Sequence, residues 1–222
     1  MQLKGFGSLL ITFSGMDSAG KSTQISNVVE YFRSYSRKTK VIWSRGGYTP
    51  LFNWFKDALR RIIPNSLPKP GESKHRDKTF NKKWVRMIWL NMALLDMTFF
   101  YCLYFRFLKM LGYIIIADRY LYDTYIDFKL KFPKENIENK FLWKILVRFS
   151  QTPNFSLILT IPIRESLCRS KLKNEPFSEN LIQRKKRLDL YKEFIEKGKW
   201  GYIIDGMRPI DEVWSIIRNK LE

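Results

Sequence analysis

The sequence predicts an α/β fold: a three-layer, doubly wound sheet of five parallel strands with helices on both faces. Three observations support this prediction. Short apolar runs of strand length alternate with longer segments of helical character. The short runs are almost continuously apolar, which is typical of strands covered on both faces. A glycine-rich loop directly follows the first run and opens the first helix. Because parallel strands are joined by right-handed helical crossovers, this order indicates an open parallel sheet.

Five apolar runs are the predicted strands: Ser8–Phe13, Lys40–Ser44, Tyr113–Ala117, Phe155–Ile161 and Gly201–Ile204. Seven segments are the predicted helices: Lys21–Ser36, Leu51–Ile63, Lys82–Leu111, Ile137–Phe149, Ile163–Leu172, Glu179–Lys197 and Ile210–Leu221. Pro64–Gly71 and Pro133–Asn139 are predicted loops. We find no repeat and no linker that divides the chain, so residues 1–222 are expected to form a single domain.

The composition limits the classes of function. The chain carries 40 Lys and Arg against 21 Asp and Glu, a formal net charge of +19, so it attracts polyanions such as nucleic acid, anionic lipid or polyphosphates. Two cysteines, Cys102 and Cys168, and the single His75 argue against a disulfide framework or a zinc site. The segment Met1–Gly7 does not resemble a secretory signal. We therefore expect a reducing, cytoplasmic location.

The most apolar stretch, Met87–Leu111, is interrupted by Asn91, Asp96, Arg106 and Lys109. Charged residues are costly in a membrane span, so a long, largely buried core helix is the favoured interpretation. A helix that touches a membrane surface is the alternative, which leaves peripheral membrane contact open.

The residues Gly15–Ser22 match the phosphate-binding motif G-x-x-x-x-G-K-[ST] and stand between a predicted strand and a predicted helix, as the motif requires. Glycines let backbone N–H groups turn toward phosphate oxygens, and the helix N-terminus adds a favourable dipole. Lys21 is predicted to reach the β- and γ-phosphates of ATP, and Ser22 to be a ligand of Mg²⁺. The predicted nucleotide-binding residues are Gly15, Met16, Asp17, Ser18, Ala19, Gly20, Lys21, Ser22 and Thr23.

A second motif, Asp118-Arg119-Tyr120, ends the third predicted strand. An Asp at this strand end lies near the phosphate loop in doubly wound folds, so Asp118 is a candidate magnesium ligand and catalytic residue. Arg119 is a candidate for binding a phosphate through its two-pronged guanidinium.

Together these motifs resemble the thymidylate kinase family of nucleoside monophosphate kinases, in the same order over nearly the whole chain. The segment Phe13–Gln24 looks like the family's P-loop, and Asp118-Arg119-Tyr120 matches its Asp-Arg-Tyr/His motif. Arg45–Pro50 looks like a variant of its Arg-Glu-Pro-Gly-Gly-Thr-Pro loop, and Ile204–Pro209 like its turn near the adenine. The resemblance implies a P-loop kinase that transfers a phosphoryl group from ATP to dTMP. It also implies that the kinase has a small lid and forms a homodimer.

The resemblance also implies residue roles. Asp17 would face the acceptor's sugar hydroxyl, and Arg45 and Arg119 would hold its phosphate. Some members carry a catalytic arginine after the loop Asp, where this chain has Ser18, so a lid cation would serve instead, with Arg169 the first candidate. The lid is expected at about residues 164–187. Its predicted cations are Arg169, Lys171, Lys173 and Arg184, and the predicted substrate-binding residues are Asp17, Arg45, Arg119, Tyr120 and Met97.

Three departures concern the acceptor side. Arg45 runs straight into Gly46, without the family's Glu and Pro. Met97 stands where the family has a thymine-binding arginine, and methionine offers no donor to a base carbonyl. Asp123, Asp127 and Phe128 replace the family's Ser-x-x-x-Tyr-Gln. A phosphorylated sugar or a cell-envelope saccharide is therefore an alternative acceptor.

Two further function classes remain open at this point. One is a basic nucleic-acid- or membrane-binding protein without kinase activity, although the sequence has no nucleic-acid-recognition motif and no specific nucleic-acid partner is expected. The other is a P-loop switch protein, which the absence of an Asn-Lys-x-Asp segment disfavours.

Overall fold

A computed structural model describes residues 7–44, 83–172 and 181–222 of the chain. Its strands form one five-stranded, all-parallel sheet in the order β2-β3-β1-β4-β5, with helices on both faces. The predicted α/β fold and all five predicted strands are confirmed. The strands are β1 Leu10–Gly15, β2 Thr39–Trp43, β3 Ile114–Asp118, β4 Phe155–Thr160 and β5 Tyr202–Asp205. The helices are α1 Lys21–Ser34, α2 Lys83–Thr98, α3 Phe105–Met110, α4 Leu121–Lys131, α5 Phe141–Phe149, α6 Ile163–Leu172, α7 Leu181–Glu196 and α8 Ile210–Leu221.

The central strand β1 positions the site. It pairs with β3 on one side and with β4 on the other, placing Phe13 beside Asp118 and Gly15 beside Leu159. The chain thus leaves the carboxyl end of β1 at the point where strand order reverses, which is where ligands bind in doubly wound sheets.

Burial differs between central and edge strands. All six residues of β1 are buried, but β2 exposes Val41 and Trp43, and β5 exposes Ile203. The expectation that every strand is covered on both faces is therefore wrong for β2 and β5. Each of these strands has only one neighbour in the sheet, so it lies at an edge where one side meets solvent.

The sequence did not predict α4. Its buried positions include Asp123, Thr124 and Asp127, so its polar inner face hides the apolar periodicity that marks other helices. The predicted helix at Ile137–Phe149 begins later, at Phe141. The predicted helix Leu51–Ile63 and the loop Pro64–Gly71 lie outside the described residues.

The predicted helix Lys82–Leu111 is present as a continuous helical rod, made of α2, a six-residue π-helical segment Phe99–Tyr104, and α3. Its inner face is core, with Leu94, Met97, Tyr101 and Phe105 essentially buried. The rod is the one helix among the described residues that is long and apolar enough to span a membrane by length and composition, and 44% of its most apolar window is buried inside the protein. This partial burial is the pattern of a core helix with one uncovered side.

Candidate active site

The phosphate loop joins β1 to α1 and turns through three residues of positive φ: Gly15 at 133°, Ser18 at 60° and Gly20 at 91°. A Cβ atom at Gly15 would overlap the carbonyl oxygen of Leu159 on the neighbouring strand β4. Glycine is therefore required at Gly15 both by its backbone conformation and by the space available. The loop is consequently held against the sheet at the carboxyl end of β1.

The N-terminus of α1 is prepared for an anion. Gly20 is its N-cap residue, no side chain caps the first turn, and that turn contains no acidic residue. The first N–H groups of the helix have no partner within the helix itself, and together with the helix dipole they favour a bound phosphate.

Lys21 is folded back over this loop. Its Nζ donates to the carbonyl oxygens of Met16 (2.7 Å) and Gly15 (3.2 Å), and the residue is only 7% exposed. Burial, and after it the charge of Arg119, lowers the pKa of Lys21 from 10.5 to about 8. Burial thus destabilises the charged form of Lys21, and a phosphate ligand would stabilise that form.

Asp118, at the end of β3, lies close enough to Lys21 for their charges to interact. Its Oδ1 atom is buried and has no hydrogen-bond partner among the described residues. Burial raises the pKa of Asp118, although Lys21 and Arg119 oppose this shift. Asp118 and Ser22 line the same groove of about 400 Å³, next to Trp43. A carboxylate and a hydroxyl, completed by phosphate oxygens and water, suit Mg²⁺, so these residues fit the predicted metal site.

Arg119 lies inside the protein, 3% exposed, with a positive φ of 77°. Its guanidinium forms an ion pair with Asp17, donates to the Tyr191 hydroxyl at 3.3 Å, and lies 3.8 Å from Asp123. Two of the five residues predicted to bind the acceptor, Asp17 and Arg119, are thus brought together.

Asp123 is the centre of this network. Its Oδ2 accepts from the Ser14 hydroxyl (2.6 Å) and the Tyr120 N–H (3.1 Å), and its Oδ1 accepts from the Tyr191 hydroxyl (2.6 Å). The departure at Asp123 therefore has a structural explanation: the carboxylate is buried and joins β1, α4 and α7.

Two predicted substrate-binding residues lie in the core. Met97 is fully buried on the rod. Tyr120 is 5% exposed, its ring stacks on Phe105 at 5.7 Å, and its hydroxyl donates to the Gln151 carbonyl oxygen. Among the described residues, neither side chain opens onto the loop. Arg45 lies outside the described part of the chain.

A second groove, of about 350 Å³, flanks the phosphate loop on the side of β4 and β5. Its wall includes Leu172 and Ile210, and the turn after β5 closes one end. A Cβ atom at Gly206 in that turn would lie 3.0 Å from the Ala19 carbonyl oxygen and 2.8 Å from Ile161, so only glycine lets the turn approach the loop this closely. The groove adjoins the phosphate loop and combines apolar side chains with a few polar ones, which suits a nucleotide base.

Arg169 belongs to this second groove. Its Nε is paired with Glu165 at 2.6 Å, and Nη1 donates to the Gly206 carbonyl oxygen at 3.2 Å. The structure thus places the first candidate for a transition-state cation on the wall of this second groove. Lys171 is on the exposed side of α6, and Lys173 is not among the described residues.

Arg184, which we predicted as a lid cation, is buried, at 1% exposure. A surface charge is excluded by this burial. Sequence reasoning also missed Ser166, Ser170 and Tyr191, which make contacts to the phosphate loop. The only available signal was the spacing of Arg184, Arg187 and Tyr191, which places these three on one side of a helix.

Known proteins resemble the chain in both sequence and fold. No family model matches the sequence. A thymidylate kinase of Sulfurihydrogenibium sp. (strain YO3AOP1) is 24% identical over 216 residues, which cover 96% of each chain. A deoxyadenosine kinase from M. mycoides, solved with bound dATP, superimposes with a TM-score of 0.53 over 96% of this chain and 99% of its own, at 15% identity. The fold is that of a P-loop kinase. The resemblance to thymidylate kinase that the motifs indicated is likewise confirmed over nearly the whole sequence.

Proposed function

We propose that this P-loop kinase is a nucleotide kinase that uses ATP and Mg²⁺ to phosphorylate a nucleoside monophosphate, with dTMP as the acceptor. The observation that carries the proposal is the phosphate loop itself. It lies at the carboxyl end of β1 and brings together the uncapped N-terminus of α1 and the Lys21 ammonium group. These are the groups that phosphoryl transfer needs, since it depends mainly on positioning and charge neutralisation.

The donor would bind across the loop. Its base would enter the groove beside Gly206 and Arg169, and its phosphates would lie against the N–H groups that begin α1. Lys21 would exchange the Gly15 and Met16 carbonyls for the β- and γ-phosphates. Ser22 and Asp118 would hold Mg²⁺, which neutralises phosphate charge during transfer.

The acceptor is assigned from the sequence similarity to thymidylate kinase. Arg119 and Asp17 would bind its phosphate and its sugar hydroxyl, after their ion pair opens to admit them. An arginine already held by Asp123 and Tyr191 loses little conformational entropy on binding, which favours this role.

One observation favours the alternative acceptor, a phosphorylated sugar or cell-envelope saccharide. Met97 is fully buried and carries no hydrogen-bond donor, so the thymine-binding arginine of the family has no replacement at this position. Sites that lose such a donor relax or redirect their specificity.

A panel of acceptors, assayed with ATP and Mg²⁺, tests both assignments. Turnover of dTMP at ordinary kinase rates would support the first and remove the saccharide alternative. Lys21→Met is the matching variant: we expect transfer to fall by at least about 10²–10³-fold, as for loss of one transition-state donor, without loss of folding stability. Full activity of that variant would overturn the kinase assignment.

We also propose that the protein is a homodimer that pairs through the outer face of the rod. Nine exposed apolar side chains follow this face: Trp84, Met87, Ile88, Leu95, Phe99, Leu103, Phe107, Met110 and Leu111. If each side chain has a surface of about 150–200 Å² and exposes roughly half of it, the face presents on the order of 800 Å² of apolar surface. One partner contributes about this area to a standard protein–protein interface. Peripheral binding to a membrane is the alternative use of the same face.

A further inference from the structure

The inner face of α7 is polar. Arg184, Arg187 and Tyr191 are each 1% exposed, and they follow one another at spacings of three and four residues. Burying a guanidinium is costly unless it is fully hydrogen-bonded, so buried arginines are uncommon. A face of this kind needs an explanation other than core packing.

Arg184 connects α7 to the phosphate loop through two serines of α6. Its Nη1 donates to Ser166 Oγ at 2.5 Å and its Nη2 to Ser170 Oγ at 2.9 Å. The Ser166 hydroxyl in turn donates to the Asp17 carbonyl oxygen at 2.9 Å, and Ser170 Oγ lies 3.2 Å from Ser18 Oγ. Both serines are buried, at 0% and 3% exposure.

The Ser166 contact has a consequence for the backbone. A trans peptide is planar, and its C=O and the following N–H point in opposite directions. Holding the Asp17 carbonyl toward α6 therefore turns the Ser18 N–H to the opposite side, away from α6. Ser18 is also strained, with a φ of 60°, and a strained residue stays in place only if its surroundings hold it there.

We propose that Arg184 is a positioning residue for nucleotide binding: acting through Ser166 and Ser170, it fixes the Asp17–Ser18 peptide so that the phosphate loop is preorganised for the donor's phosphates. This rests on the proposed kinase function and deepens it. Arg184 touches no reacting atom in this scheme. This role replaces the predicted lid role of Arg184. A buried arginine that donates to two serines supports the phosphate loop through them and does not close over ATP.

The test compares Arg184→Met, Arg184→Lys, Ser166→Ala and Ser170→Ala in the full chain. Matched controls are Lys192→Met, which removes an exposed charge from the same helix, and Ser34→Ala, which removes an exposed hydroxyl from α1. Three quantities are measured for each: the melting temperature, the Kd of a non-hydrolysable ATP analogue with Mg²⁺, and the KM values for ATP and acceptor.

We expect Ser166→Ala and Arg184→Met to raise the ATP-analogue Kd and the KM for ATP by about tenfold, since each loosens one or two hydrogen bonds behind the loop. The KM for the acceptor should change less than twofold. Arg184→Lys should recover part of the loss, because an ammonium still donates to one or both serines. Both controls should match wild type.

Ser166→Ala decides the question if Arg184→Met does not fold. Unchanged ATP affinity in Ser166→Ala, or a loss of melting temperature with wild-type Kd and KM, would overturn the inference and leave only a structural role. If the wild-type protein binds no ATP analogue, the proposed function fails first and this inference fails with it. The wild-type titration therefore separates the two failures.

Discussion

At the scale of single residues, the protonation of Lys21 depends on pH near pH 8. Burial depresses its pKa to about 8, in a setting where Arg119, Asp118, Asp17 and Asp123 also face it. Above that pH the folded protein holds a neutral amine, whereas an unfolded lysine keeps its proton up to about 10.5. The unfolded state binds more protons in this window, so this residue's contribution to the free energy of unfolding rises from pH 8 to 10.5.

The first prediction follows for nucleotide binding. Phosphates favour the charged form of Lys21, so binding above pH 8 should take up a proton, and affinity should fall by up to about tenfold per pH unit. Calorimetry of an ATP analogue in two buffers of different ionisation enthalpy measures this uptake at pH 9. Lys21→Met lacks the amine and should therefore lose this proton uptake. Wild type without uptake at pH 9 would contradict the placement of the lysine.

A second prediction at the residue scale concerns Gly206. In Gly206→Ala the new methyl group would meet the Ala19 carbonyl and Ile161, which should push the turn away from the phosphate loop. We expect the KM for ATP to rise by roughly tenfold or more, because the turn lines the groove in which we propose that the base binds. Gly201→Ala is the control, since its Cβ would meet only ordinary contacts at 3.5 Å. Equal kinetics in the two variants would show that the turn does not contact the donor.

At the scale of elements, α4 and α7 are joined by a buried ion pair between Asp127 and Arg187, at 2.6 Å. Removing one partner leaves a buried charge, so Arg187→Met should lower the free energy of unfolding by about 3–5 kcal/mol. Adding Asp127→Leu should recover most of that loss. Urea denaturation measures both variants.

The control for this pair is Arg218→Met, which removes an exposed arginine paired with Glu222. It should cost less than about 1 kcal/mol. A double variant at least as unstable as Arg187→Met alone would mean that the unpaired Asp127 carboxylate is not the cause of the loss.

The same elements show what sequence could and could not predict. The central strands β1, β3 and β4 were predictable because they are buried and apolar. The phosphate loop was predictable because its glycines and lysine occur at the fixed spacing of a known motif. Helix α4 was not predictable, since it buries Asp123 and Asp127. Arg184 and Arg187 look like surface charges in the sequence because arginines usually are. Their partners lie 14 to 60 residues away along the chain.

At the scale of the whole molecule, the outer face of the rod is the proposed dimer interface. We predict a dimer of about twice the 26.7 kDa chain mass by light scattering, and a monomer for Leu103→Glu, since a carboxylate buried in an apolar interface is strongly unfavourable. Ile203→Glu, on an exposed edge of the sheet, is the control and should remain dimeric.

Three results would redirect this prediction. A wild-type monomer that co-sediments with anionic vesicles would assign the face to a membrane. A monomer that does not would overturn both assignments of this face. A dimer that survives Leu103→Glu would place the interface elsewhere.

The π-helical segment in the rod has a consequence for how this protein tolerates change in length. Leu95, Phe99, Leu103 and Phe107 are spaced by four residues each, a total of 12, whereas three turns of α-helix take about 10.8. The wider turn at Phe99–Tyr104 absorbs the additional residue and keeps these side chains aligned. Deleting one residue there would leave 11 between Leu95 and Phe107, about three α-helical turns, so the segment would close to regular α-helix with Phe105 still inside and Phe107 still outside. Deleting one residue from α2 or α3, where no wide turn can be given up, would instead rotate the side chains on either side of the deletion by about 100° relative to each other.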